Sequence, residues 1–456
     1  MARLGLLTGL LAACALPVSA QTVYVDAQGR PHESPVTATK LAGGRAISLN
    51  SGWYLCDATV NYTDTLTISG AVNLILGDDC TMHVIGNSVS GAYSAGIKVV
   101  GSGNSFTIWA ERANSAAKEL SSSTSGHLTV SGGYASAGIG GGMGDTVGMI
   151  TINGGTVNAT GGGGAGIGSG YKGAAGVIII NGGSVNAVGS FRSAGIGDGE
   201  YGYGGTVTVN GGVVHAESGY KGGAGIGGGV GKAGGTIIND LGFERLLSAA
   251  MNQQASGTIT ISGGTVNATG DGAGIGGNWN GAGSFVRITG NADVTAEGRY
   301  GGAGIGGRDG NAGMIVIATS GKVLAKGGEA SDSSGVGAAI GQSGRDNRQM
   351  GVGISPIPNP ADITAAAGGD AVFRVTVART AHWIAYQWQR STNGGESWSR
   401  VVDGPGVSGA TKAALKLSGV TANMNGNLYR CVARVWGIGE NSAIIYTTGP
   451  GRLTVK

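Results

Sequence analysis

The sequence predicts an all-β chain: a right-handed parallel β-helix followed by an immunoglobulin-like β-sandwich. Three observations lead there. The phrase Ala-Gly-Ile-Gly returns along the chain, with its isoleucine at Ile139, Ile167, Ile196, Ile226, Ile275 and Ile305 and a degenerate copy at Ile340. The intervals of 28, 29, 30, 49, 30 and 35 residues define a unit of about 29, a period that signals a solenoid. Each unit also holds two short alternating runs joined at Asn-Gly-Gly or Ser-Gly-Gly, as in "MITINGGTVNAT" and "TITISGGTVNAT", which reads as two strands and a tight turn.

With the Ala-Gly-Ile-Gly phrase as a third strand, every unit becomes one coil, and no unit has the helical pattern of a leucine-rich or ankyrin-like array. Equivalent residues of successive coils then stack about 4.8 Å apart. The expected ladders are an inward apolar column of Val157, Val185, Val214, Val266 and Val294, a second of the phrase isoleucines, and an outward polar column of Asn158, Asn186, His215, Asn267 and Thr295.

Composition sets limits on function. Gly supplies 96 of 456 residues, about three times ordinary usage, without the strict triplet of collagen. The recurring Val and Ile argue against disorder. A formal charge of +3 points to neither nucleic acid nor an anionic membrane. Residues 1–20 read as a secretory signal peptide ending Val18-Ser19-Ala20, with a competing lipobox that would leave Cys14 lipid-bearing. No later segment is apolar enough to span a bilayer as a helix. Export permits disulfides, and Cys56 and Cys80, 24 residues apart, are the candidate pair, leaving Cys431 as a free thiol.

The remaining organisation follows from breaks in the repeat. Residues 21–126 read as the N-terminal cap and first coils, with a weak copy of the phrase in "SAGIKVVG" at 94–101. Residues 127–349 are the Gly-rich coils. Within the 49-residue interval, residues 238–256 carry Phe243, Leu246, Leu247, Ala250 and Met251 at helical spacing, so one amphipathic helix is expected to bulge from that coil. The proline-bearing stretch 350–360 reads as a linker, and 361–456 as the sandwich, with Trp388 as its buried tryptophan and Tyr429, two residues before Cys431, as a tyrosine corner.

These features resemble secreted gut-bacterial proteins built from "GGAGIGGG" and "TITINGGTVNATGG" repeats, which are carbohydrate-binding-like and often end in immunoglobulin-like domains. The segment 52–84, "GWYLCDATVNYTDTLTISGAVNLILGDDCTMHV", resembles the stretch preceding the repeats in that family. The resemblance implies architecture and carries no catalytic signature to transfer.

Function must then rest on the residues beside the repeated phrase. If its Ala and Ile point inward, its glycines pave an open floor without side chains. The few aromatic and charged repeat residues gather at the margins: Tyr134, Phe191, Tyr171, Lys172, Tyr201, Tyr203, Tyr220, Lys221, Trp279, Arg299, Tyr300 and Arg308. Rings stack on sugars and charged groups bind hydroxyls, carboxylates or sulfates, so a glycan groove for a polysaccharide or host glycan is the functional reading. The competing reading gives the glycines to tight turns and the loop residues to solvated decoration, in a purely structural repeat protein. Paired carboxylates would make a glycoside hydrolase, with Asp198, Glu200 and Asp309 available; a lyase would recruit Lys172, Lys221 or Arg299 as base. No metal or cofactor site is expected, because no His, Cys or carboxylate group has ligand spacing.

Overall fold

The computed structural model describes residues 22–27, 29–45, 47–87, 93–111, 126–202, 205–231, 257–278, 284–308, 313–329, 336–343, 352–353, 357–377, 383–436 and 443–456. The expected signal peptide and the expected helix at 238–256 lie outside them. Among the described residues the chain is β-structure with a single 3₁₀ turn, Ala422–Met424.

Three strands make each coil, in the expected order. The first strands, such as Met149–Ile152, Val177–Ile180 and Thr206–Val209, pair in parallel from coil to coil. The second strands form a nine-stranded sheet that starts at Thr59–Tyr62 and ends at Val323–Lys326. The third strands are only two residues long in most coils, Ile139–Gly140 pairing with Ile167–Gly168 and so onward. Ile97–Lys98 and Ile340–Ser343 extend this column, so both degenerate copies of the phrase are true coils.

Alternation with period two sends one side chain in and the next out, and parallel register repeats that choice in every coil. Val157, Val185, Val214, Val266 and Val294 are directly paired and buried, as are all the phrase isoleucines, and together they make the core. Asn158, Asn186, His215, Asn267 and Thr295 are likewise in register on the outer face. The hydrogen-bonded amide ladder stands elsewhere, at the Asn-Gly-Gly corner. There Asn181 donates to Asn153 at 2.7 Å, Asn210 to Asn181 at 2.8 Å and Ser262 to Asn210 at 2.7 Å. The corner holds each amide in one orientation, whereas the strand column stays solvated.

The opening coils differ by a local rule. Ile47–Cys56 and Leu66–Leu76 are long strands that cover what later coils divide into a third and a first strand: Leu66 pairs with Ile97, while Ala71 pairs with Ser105. Inserting residues at that division creates a loop in every later coil. Cys56 and Cys80 are joined by a disulfide with Cα atoms 5.3 Å apart.

At the other end, Asp370–Arg374, Val407–Ser408 and Ala414–Ser418 form a three-stranded sheet. It faces a second sheet containing Trp383–Ser391, Leu428–Trp436 and Gly451–Val455. Phe373, Trp388, Tyr429 and Cys431 fill the space between them, and burial pushes the Cys431 thiol up to about 12. Tyr429 does not form the expected tyrosine corner: its hydroxyl makes no hydrogen bond of good geometry, and its polar neighbours are the side chains of Asn427 and Arg390. Strand Ala443–Thr447 of this unit pairs in parallel with the last first strand of the solenoid, Met314 opposite Ala443 and Ile317 opposite Tyr446. The stretch expected as a linker is packed where described, with Ile357 buried and Asn359 accepting the Gly449 N–H at 2.7 Å. The C-terminal unit therefore covers a sheet edge that would otherwise be open.

Candidate functional site

The open glycine floor is not what forms. The phrase glycines are buried, because the chain reverses at the isoleucine. In five coils the N–H of the phrase alanine donates to a carbonyl four residues on, as Ala165 to Ser169 at 3.0 Å, Ala194 to Asp198 at 2.9 Å and Ala224 to Gly228 at 2.9 Å. The glycine after the isoleucine adopts φ between +124° and +141° in every copy from Gly140 to Gly341. A Cβ there would overlap the next coil's carbonyl, as Gly168 with Gly197 O. The glycine before it abuts the next coil's second strand, where a Cβ at Gly195 would lie 2.6 Å from Glu217 N. Both conformation and space demand glycine, so the phrase is a closed arch.

Closing the arch brings its two flanks together. Tyr171 N donates to Ala135 O at 2.9 Å and Val230 N to Arg192 O at 2.8 Å, so the loop after one arch lies against the loop before its neighbour. Within the columns Lys172 N reaches Glu200 O at 2.8 Å and Arg192 N reaches Tyr220 O at 2.9 Å. Over the described loops between residues 133 and 231 the result is one ridge along the solenoid, with two loops per coil at the coil spacing. The expected margins are thus merged into a single surface.

That ridge is aromatic and exposed. Tyr93, Tyr134, Phe191, Tyr201, Tyr220 and Tyr300 are each at least 40% exposed. Tyr93 and Tyr134 have ring centroids 5.7 Å apart, and Tyr171 meets Tyr201 edge-on at 5.7 Å. Lys172 Nζ stands 5.0 Å from the Tyr171 ring centre, and Lys221 Nζ 5.4 Å from Tyr220 and 5.9 Å from Phe191. Arg192 bridges the two loops to Glu200 at 2.7 Å, and Arg299 pairs with Glu217 at 2.9 Å and approaches Asp271 at 4.0 Å.

The backbone marks the same loops independently. Among the described residues, the non-glycine residues with positive φ are Ala135, Lys172, Arg192, Tyr201, Lys221 and Tyr300, and all six lie in this ridge. Other coils place Gly144 and Gly231 at the position of Lys172 and Tyr201. Left-handed backbone is costly for a residue with a Cβ, and such strain concentrates at functional sites.

Not every expected residue joins the ridge surface. Asp198 is sealed beneath it at 1% exposure, and neither carboxylate oxygen completes a hydrogen bond. Burial pushes its carboxyl well above the usual range, and the Ala175 amide facing it offsets only part of that cost. Tyr203, Trp279 and Asp309 lie outside the described residues, and Arg308 is placed only as the end of strand Ile305–Arg308. Tyr93, Arg192, Glu217 and Asp271 were not expected. Tyr93 was legible in principle, because it stands four residues before Ile97 in the weak copy of the phrase.

Residues 150–171, 178–200, 203–230, 259–279 and 286–311 match the family model described as Beta helix repeat. The matched segments, about a quarter of the chain, fall within the coils whose strands stack in parallel, so family model and structure agree on β-helix architecture there. No curated protein matches it. Among solved structures, the M1 domain from titin is similar at 13% identity over 23% of this chain and 95% of that one, with a TM-score of 0.16.

Proposed function

We propose that the chain is an exported carbohydrate-binding or adhesive surface protein that lays a polysaccharide or host glycan along the loop ridge, with residues 361–456 as an immunoglobulin-like unit that closes the solenoid. The observation carrying this reading is the set of exposed rings, Tyr93, Tyr134, Phe191, Tyr220 and Tyr300, that stand before the phrase in five coils, glycine taking that place in the coils of Ile167 and Ile275. Sugar rings in a linear polysaccharide advance by about the same length as a coil, so successive rings can stack on successive units. Strained backbone under Tyr201, Lys221 and Tyr300 supports it, since glycine at those positions would remove the strain and the side chain together. β-helix repeats occur in carbohydrate-binding and polysaccharide-acting proteins. The disulfide is in keeping with an oxidising compartment.

The hydrolase reading finds less support. Asp198 has no access to a substrate on the ridge, and Glu200 is held by Arg192. Pull-down of the full chain on a panel of insoluble and immobilised polysaccharides tests the proposal. Capture is expected, together with its loss in the Tyr134→Ala/Phe191→Ala/Tyr220→Ala variant; no capture by any glycan would overturn it.

A further inference from the structure

Resting on the glycan-binding reading above, we infer that the ligand of the ridge is an acidic polysaccharide, whose carboxylates or sulfates are received by Lys172 and Lys221. The argument is one of charge pairing. Among the described residues the carboxylates along the ridge are already engaged: Asp145 by Lys98 at 3.2 Å, Glu200 by Arg192, and Glu217 by Arg299. Asp271 accepts the Lys221 backbone N–H at 2.9 Å and faces Arg299. Asp198 is buried beneath the ridge, and burial raises its carboxyl above the usual range. Among the described residues, the ammonium groups of Lys172 and Lys221 have no carboxylate partner and lie beside aromatic rings instead.

Both lysines sit on strained backbone, at φ +57° and +72°, in a chain that supplies glycine freely at such turns. A cation beside a ring is what an acidic sugar requires, because the ring covers the apolar face of the pyranose while the ammonium meets the acid group. Lys172 follows the arch of Ile167 and Lys221 precedes the arch of Ile226, so the two cations stand at separate points along the ridge, where a polyanion can meet both.

The test titrates the full chain with polygalacturonate and its methyl ester, and with dextran sulfate and dextran. Binding of either acidic polymer about tenfold tighter than its neutral counterpart is expected, as two exposed charge pairs provide. That preference should disappear in Lys172→Gln/Lys221→Gln and weaken as salt rises, while the aromatic triple variant loses affinity for every glycan. Equal affinity for charged and neutral polymers, or an unchanged preference in the lysine variant, would overturn the acidic ligand while leaving glycan binding intact. Binding to none of them would overturn both. Polyphosphate bound as tightly as the acidic polymers, with no loss in the aromatic variant, would reduce the site to plain charge attraction and overturn the inference.

Discussion

Replacing Gly168 by alanine tests why the repeat is written in glycine. At φ +136°, outside the left-handed helical well, a Cβ costs about 1–3 kcal/mol in backbone strain. The methyl would also overlap Gly197 O, so the two coils must part by roughly an ångström. That separation breaks the 3.0 Å bond from Ser169 N to Gly197 O inside a buried arch. An unsatisfied buried N–H adds about 1–3 kcal/mol. The combined loss is about 2–6 kcal/mol, read from urea unfolding followed by circular dichroism. Gly144→Ala is the matched control, because Gly144 also has positive φ, +74°, but nothing lies within 4 Å of its Cβ. It should lose only the strain, about 1–2 kcal/mol. Equal losses for the two variants would refute the claim that coil contact, and not conformation alone, fixes the phrase.

Three further outcomes are expected. Because burial raises the Asp198 carboxyl in the folded state above its ordinary 3.8, folding takes up a proton. Stability should therefore be greatest at acid pH and fall by up to about 1.4 kcal/mol per unit as pH rises toward the folded value. Asp198→Asn should flatten that slope in unfolding curves taken from pH 4 to 8; an unchanged slope would assign it to other groups. Cys56→Ser/Cys80→Ser opens a 24-residue loop and should cost about 3 kcal/mol in denaturant unfolding, whereas no change would mean the pair is unbridged in solution. Truncation before Ile357 bares the edge strand Met314–Thr319, so light scattering should detect larger species than the full chain gives at equal concentration; an unchanged mass would mean the edge needs no cover.

The coil was legible because its signal is repeated: one ambiguous strand becomes certain when Val157, Val185 and Val214 recur at one register. The direction of the phrase glycines was not legible. Alternation predicts outward glycines at 166 and 168, but a two-residue strand between reversals has no outer face, and the arch is closed by a backbone bond that composition does not encode. The same tightness explains why the residues before and after the phrase, expected on opposite margins, meet as one ridge. Asp198 shows the limit of reading a carboxylate from its type. Its column is Gly141, Ser169, Asp198, Gly228 and Gly277, small residues throughout, and that is the mark of an interior position. Pairings such as Arg192 with Glu200 and Arg299 with Glu217 depend on loop contacts between and within coils, which sequence spacing alone does not give.

Carbene footprinting of the full chain, with and without polygalacturonate, locates the ligand most directly. Protection is expected at residues 130–137, 169–173, 189–202, 218–223 and 298–303, with the outward strand column at 156–160 and 184–188 unchanged. Protection of the strand column with the ridge left fully reactive would contradict the account.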